Sequence, residues 1–247
     1  MIFTIARKEL RSLFAAPSTW VILAALQFIF AWFFLARLDA YLQVQTQLAQ
    51  VANAPGATMS VASPLFGTLA LMLMMLIPLL TMRLLAEERR NQTLALLLAA
   101  PVHTSQIVLG KFLSLVAFIT LVVAASTAML ALLGIGTQID SGLLAANALG
   151  LLLLSASYAA LGLYLSALTK QPIVAAMSAT ALSFGLWLID IGGAGTGNAL
   201  RALSPTTHAQ SMNAGFILSG DLAYFILTIT TLLLLTIRRV ENNRMYA

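Results

Sequence analysis

Long stretches of this chain carry no charge, and short charged clusters punctuate them. Uncharged residues fill 12–36, 112–139, 141–169, 171–189 and 222–237. A further uncharged stretch, 40–82, holds Gln43, Gln45, Gln47, Gln50 and an Ala54-Pro55-Gly56 turn in its first half, so only its second half is apolar throughout. Crossing a bilayer takes about 20 apolar helical residues, with a lower limit near 17. The pattern predicts an all-α, polytopic membrane protein with six spans, at roughly 19–37, 64–85, 107–134, 143–168, 172–190 and 221–238. The sixth is short, and Arg238 and Arg239 are placed to snorkel at its end. Tyr41, Leu42, Leu48 and Val51 are spaced to continue the first span as a partly polar helix.

Three segments break this pattern. Residues 1–17 read as an amphipathic elbow helix: Ile2, Ile5, Leu10, Leu13 and Phe14 can share one face, with Arg7, Lys8 and Arg11 toward the other. Such a helix lies in the interface plane, its basic face toward anionic headgroups, and Pro17 allows a turn into the first span. It serves as a surface anchor or also touches a cytoplasmic partner. Between spans two and three, Glu87, Glu88, Arg89 and Arg90 adjoin one another, followed by an apolar helical stretch that Pro101 ends. Ordering a hairpin of this length (86–101) costs entropy and points to docking; the alternative is a solvated charge run beside an interfacial helix. Segment 191–220 opens on Gly192, Gly193, Gly195 and Gly197. The stretch 198–218 is too polar to span and too apolar for a free loop, so it is expected to form a re-entrant or interfacial helical pair. Ser204-Pro205 marks a helix start within it.

Composition narrows the class. Of 247 residues, 60% are hydrophobic and 9% charged, with a mean hydropathy of +0.95, whereas soluble domains carry about 25% charged residues. That excludes an ordinary soluble enzyme, a disordered chain and a nucleic-acid module; the continuous apolar runs exclude an outer-membrane barrel. The net charge of +5 fits basic loops on an anionic leaflet, not a nucleic-acid partner. With the N-terminus inside, every Lys and Arg except Arg37 and Arg201 falls on the cytoplasmic side. The external loops hold Asp39, Asp140, Asp190 and Asp221. The positive-inside rule thus puts both termini in the cytoplasm, as an even number of spans requires. The first span is too long and, over 28–35, too bulky for a cleaved signal peptide.

Little chemistry remains. There is no Walker loop, no Gly-x-Ser-x-Gly elbow and no cysteine. His103 and His208 fall on opposite sides of the membrane, so no metal site forms. Asp190 and Asp221 lie at span ends, not at the depth an intramembrane dyad needs. No catalytic residue, metal or cofactor is expected in this chain. The span centres hold no ionisable group, so the energy must come from a partner chain. Met72, Met74 and Met75 read as packing residues and Gln27 as interhelical glue. Ala175, Ala179 and Ser183 form a small-residue face, for packing within the protomer or at a dimer seam. Pro78 frees the carbonyl of Met74 and should kink the second span.

The run Ala6-Arg7-Lys8-Glu9-Leu10, with Phe14 and Pro17, resembles the start of ABC exporter permeases of the type-2 class. Arg83 to Arg90 followed by Thr93, Leu94, Leu97, Pro101 and Gly110-Lys111 looks like that family's cytosolic loop. Ser204-Pro205, His208, Gly215, Asp221 and Tyr224-Phe225 are similar to the gliding-motility-type (GldF-like) branch, near the nitrous-oxide-reductase maturation permease. Gln92, Ala95 and Ala214 depart from the pattern. The resemblance implies a multi-pass protein of the bacterial inner membrane. It also implies a second permease protomer, forming a homodimer, and a separate ABC ATPase subunit that carries ATP and magnesium. Glu87, Glu88, Arg89, Arg90, Asn91, Gln92, Thr93 and Leu94 would form the ATPase-coupling segment; Arg7, Lys8 and Glu9 of the elbow helix, which also carries Arg11, would help hold it against the same unit. The expected function is export driven by that ATPase. The alternative is mechanotransmission to a periplasmic or membrane-anchored accessory protein without transport.

Overall fold

A computed structural model of the chain describes residues 1–48, 56–91, 103–192 and 201–245. The described residues form helices and turns, with no strand. Six of the helices are long and apolar enough to span a membrane: Pro17–Gln45, Thr58–Arg90, Thr104–Ile135, Ser141–Leu168, Pro172–Gly192 and Ser219–Asn242.

Helix α1 (Ile2–Ala15) ends at Ala16, whose extended backbone (φ −78°, ψ 120°) is the geometry a following proline imposes. Pro17 then opens α2 (Pro17–Leu48). The Trp20 indole N–H donates to the Phe14 carbonyl at 2.8 Å, satisfying an end carbonyl of α1 and fixing the bend. On α1, Ile5, Leu10 and Phe14 pack against the core while Arg7, Lys8 and Arg11 are exposed. α2 runs well past the first predicted span, because Tyr41 and the glutamines that follow continue the helix without breaking it; Val51 lies outside the described residues. Ser126 Oγ donates to Gln27 Oε1 at 3.3 Å, so the amide of the first span does join two helices.

α3 (Ser63–Met82) contains Pro78 and is flanked by π-helical turns at Thr58–Ala62 and Arg83–Glu87. α4 (Thr104–Ala131) is followed by a 3-10 turn, Leu132–Ile135, and by α5 (Ser141–Leu168). Asp140 caps α5 by accepting from the Leu143 N–H at 3.0 Å. α6 (Pro172–Gly192), α7 (Pro205–Asn213) and α8 (Ser219–Met245) follow.

The core lies between α3 and α5. Leu65, Leu69, Leu73 and Ile77 recur every fourth residue of α3 and are all buried. Small residues let the backbones approach where bulk would part them. A Cβ added at Gly162 of α5 would stand 2.2 Å from Thr81 Oγ1 of α3. Ala175, Ala179 and Ser183 are buried too. Their face therefore packs inside the protomer, where α6 lies against α3 and α5. Met74 is buried whereas Met75 faces outward, so the thioethers diverge round the helix. The outer faces of α2 and α6 stay apolar and exposed, as lipid or a membrane partner requires: Trp20, Phe28 and Trp32 are examples on α2.

Candidate coupling site

Three elements meet at Lys111. The residue lies on α4 near one end of the bundle, and its side chain is 1% exposed. An ammonium taken out of water is strongly disfavoured unless paired and hydrogen-bonded. Glu88 Oε1, just past the π-helical turn that follows α3, stands 2.6 Å from Lys111 Nζ; Glu9 Oε1 of α1 stands 3.3 Å from it. The preceding residue makes this reach possible. A Cβ at Gly110 would lie 2.8 Å from Ile5 Cγ2, so α1 rests directly on the α4 backbone.

A second tie joins the same segment to α5. Ser166 Oγ accepts from the N–H groups of Leu85 and Ala86, at 3.3 and 3.0 Å, and donates to the Met82 carbonyl at 3.2 Å. A π-helical turn shifts backbone groups off the regular ladder, and this hydroxyl collects them. The Arg89 guanidinium donates to the Ala167 carbonyl, where α5 ends and its carbonyls lack helical partners.

The charge cluster therefore divides. Glu88 and Arg89 turn toward the protein, while Glu87, Arg90 and Asn91 face outward, as do Arg7, Lys8 and Arg11 on α1. Arg89, Arg90 and Lys170 line a surface cleft of about 580 Å³. Gln92, Thr93 and Leu94 lie outside the described residues. Among the described residues the site is a set of ties between helix ends, with charged residues on its outer surface.

The family model of the ABC-2 family transporter proteins matches residues 3–238, almost the whole chain. The chain belongs to the ABC-2 transporter family. No curated protein matches it. Family membership makes this chain a multi-pass membrane permease subunit of an ABC transporter and implies an ABC ATPase as its partner.

In this ABC-2 permease the residues most informative about the junction are Lys111 and Ser166, neither of which stands among the sequence-derived site residues. For Lys111 a signal existed: it is a lone charge inside an otherwise apolar helix, which demands a buried counter-charge. Ser166 had none, because a serine bonding a distant backbone looks like any other serine in a span.

The opposite end of the permease is organised by two aspartates and α7. Asp190, near the end of α6, accepts from Arg201 at 3.3 Å, Thr207 Oγ1 at 2.8 Å and Gln210 Nε2 at 2.6 Å. Asp221, in the first turn of α8, pairs with His208 Nδ1 at 2.6 Å and accepts from Ser211 Oγ. Each carboxylate thus has its own partners on or beside α7. His208 stacks on Tyr224, ring centroids 4.0 Å apart, and the Tyr224 hydroxyl donates to the Leu203 carbonyl at 2.7 Å. α7 starts at Ser204-Pro205 as the sequence predicts and ends at Gly215, whose φ of +90° disfavours a side chain. The N–H groups of Gly215 and Phe216 donate to the carbonyls of Met212 and Ser211, both at 3.0 Å, closing the helix end. No group of three or more His, Cys, Asp or Glu residues suited to a metal ion occurs among the described residues.

Proposed function

We propose that this permease couples hydrolysis by a separate ATPase subunit to export across the bacterial inner membrane, as one half of a homodimer. The observation that carries the reading is the Lys111 junction. It ties α1, the segment after α3 and α4 together through one buried cation, and Ser166 and Arg89 tie that segment to α5. A push on the outward-facing residues Glu87, Arg90 and Asn91, and on the stretch that continues through Gln92, Thr93 and Leu94, would move these elements as one body. The basic cleft lined by Arg89, Arg90 and Lys170 suits acidic groups on the ATPase, and Glu87, which does not line the cleft, suits a basic one. The Lys111 end is taken as cytoplasmic, since the basic residues collect there. α1 is taken as the elbow helix, Arg7, Lys8 and Arg11 turned toward headgroups and ATPase, with Glu9 as its internal tie.

Because the chain has no cysteine, a single Glu87→Cys substitution gives an unambiguous cross-linking site. Reconstituted with its ATPase, this variant should cross-link to it and retain nucleotide-stimulated turnover. Absence of any cross-link from positions 87, 90 and 91 counts against the coupling assignment.

A second reading has its own support. α2 holds 32 residues, about 48 Å of helix against a hydrocarbon core of about 30 Å. It therefore extends past the membrane, on the same side as α7, where an envelope partner could bind. The gliding-motility-type branch is favoured by the same end, where His208 pairs with Asp221 and stacks on Tyr224. Substrate accumulation in vesicles carrying the permease and ATPase would sink a purely mechanotransmitting role. ATP turnover coupled to a copurifying periplasmic protein, without transport, would support it.

A further inference from the structure

On the Asp190 side of the bundle, α3, α5, α6 and α7 surround a cavity of about 370 Å³, within the usual range of small-molecule sites. Its α5 wall is a single stripe: Asn147, Leu151, Leu154 and Tyr158, polar at both ends and apolar between. This stripe covers three helical turns, about 16 Å.

Polar groups in the wall are left wanting partners. Asn147 Oδ1, the Tyr158 hydroxyl and Asn213 Oδ1 are buried and make no hydrogen bond among the described residues. Asn147 and Tyr158 are each 2% exposed. The Asn147 amide is oriented from its other side, where Nδ2 donates to the Leu143 carbonyl at 2.9 Å and to Ser63 Oγ at 3.3 Å. Its Oδ1 is therefore a fixed acceptor. Asp190 also borders the cavity, but Arg201 compensates its charge and Thr207 and Gln210 occupy its oxygens. The site thus offers unpartnered acceptors, one unpartnered hydroxyl, a long apolar wall and no uncompensated charge. Buried polar groups in this state favour a ligand that completes their hydrogen bonds.

We propose that this cavity binds a neutral, single-chain amphiphile with a hydroxyl-bearing head. The head donates to Asn147 Oδ1 and Asn213 Oδ1, and the chain lies along Leu151 and Leu154 with its far end toward Tyr158. A carboxylate head is disfavoured, because it would bring acceptors to acceptors. Two-chain bilayer lipids exceed the volume. Access is from the membrane past Gly67, an exposed residue of α3 where an added Cβ meets no atom within 4 Å.

The test is photolabelling of the purified permease with a diazirine-bearing 1-decanoylglycerol. Label should fall on α3, α5 or α7 and be displaced by unlabelled 1-decanoylglycerol. Decanoate and didecanoylglycerol should compete about tenfold less well. Asn147→Leu should cut labelling about fivefold, and Tyr158→Phe less. Gly67→Phe, which sets a ring at the mouth where an added Cβ meets nothing within 4 Å, should abolish it, and keeps the test decisive if Asn147→Leu fails to fold. Equal competition by decanoate overturns the proposed head chemistry. Equal competition by didecanoylglycerol shows a bilayer lipid site instead. Labelling unchanged in a folded Gly67→Phe overturns the site. Binding is measured on the permease alone, so its failure is distinct from a failure of ATPase coupling.

Discussion

Lys111 Nζ and Glu88 Oε1 stand 2.6 Å apart although 23 positions separate them in the chain. One belongs to α4 and the other to the charged segment that follows α3. Lys111→Met removes the cation and leaves Glu9 and Glu88 facing each other at the junction. Loss of one member of a buried ion pair is strongly destabilising, here about 3 kcal/mol. Chemical unfolding of the purified permease should show this loss. An unchanged midpoint would mean that the cation is dispensable to the fold.

Glu87 and Glu88 are neighbours with opposite surroundings. Glu87→Lys changes an outward-facing charge, so stability should stay within about 0.5 kcal/mol while affinity for the ATPase falls. Glu88→Lys puts a second ammonium beside Lys111, so the permease itself should be destabilised before any partner is added. Measuring unfolding and ATPase association on both variants separates docking from internal support. Equal behaviour of the two would refute the division.

Ser166→Ala leaves the Leu85 and Ala86 N–H groups without the acceptor that collects them. The expected cost is about 1–3 kcal/mol, with a loss of the permease's stimulation of ATP hydrolysis and none of the ATPase's own basal rate. Hydrogen exchange should rise at Leu85 and Ala86 in particular. Protection there equal to wild type would show that the π-helical turn holds without the serine.

Gly162→Ala pushes a methyl group onto Thr81, whose side chain lies directly against α5 there. Overpacking of this kind costs about 1–3 kcal/mol. A Thr81→Ala change in the same chain should recover part of it, because the nearest atom, Oγ1, is then gone. Additive costs in the double variant would rule out a direct contact as the cause.

Much of the architecture was legible because the bilayer imposes a one-dimensional rule. A span must be apolar over its whole length and must satisfy its own backbone, so the uncharged runs marked all six spans and Ser204-Pro205 marked α7. Gln27 was readable as an interhelical contact because an amide in a span needs a partner. The Ala175, Ala179 and Ser183 face was visible as a small surface, but its partner was not, since lipid-facing, dimer-facing and core-facing small residues share one spacing.

The candidate site was legible only in outline. The adjoining charges from Glu87 to Arg90 stood out in so apolar a chain, and the amphipathic start of the chain did likewise. That Glu88 and Arg89 turn inward while Glu87 and Arg90 face out depends on the π-helical turn at Arg83–Glu87. A π turn rotates the following residues off the face an ordinary helix would give them, and no residue type announces one.

By itself the sequence determined what depends on composition and on runs along the chain: a helical membrane protein, its six spans and the segments set apart between them. Tertiary structure alone decided which charges pair, that α1 and the charged segment after α3 share Lys111, that Asp190 and Asp221 each hold α7, and that Asn147 and Tyr158 line one cavity. The physical reason is range. Transfer into the bilayer is a local property of each stretch of chain, whereas a buried ion pair or a cavity exists only once distant helices have closed on one another.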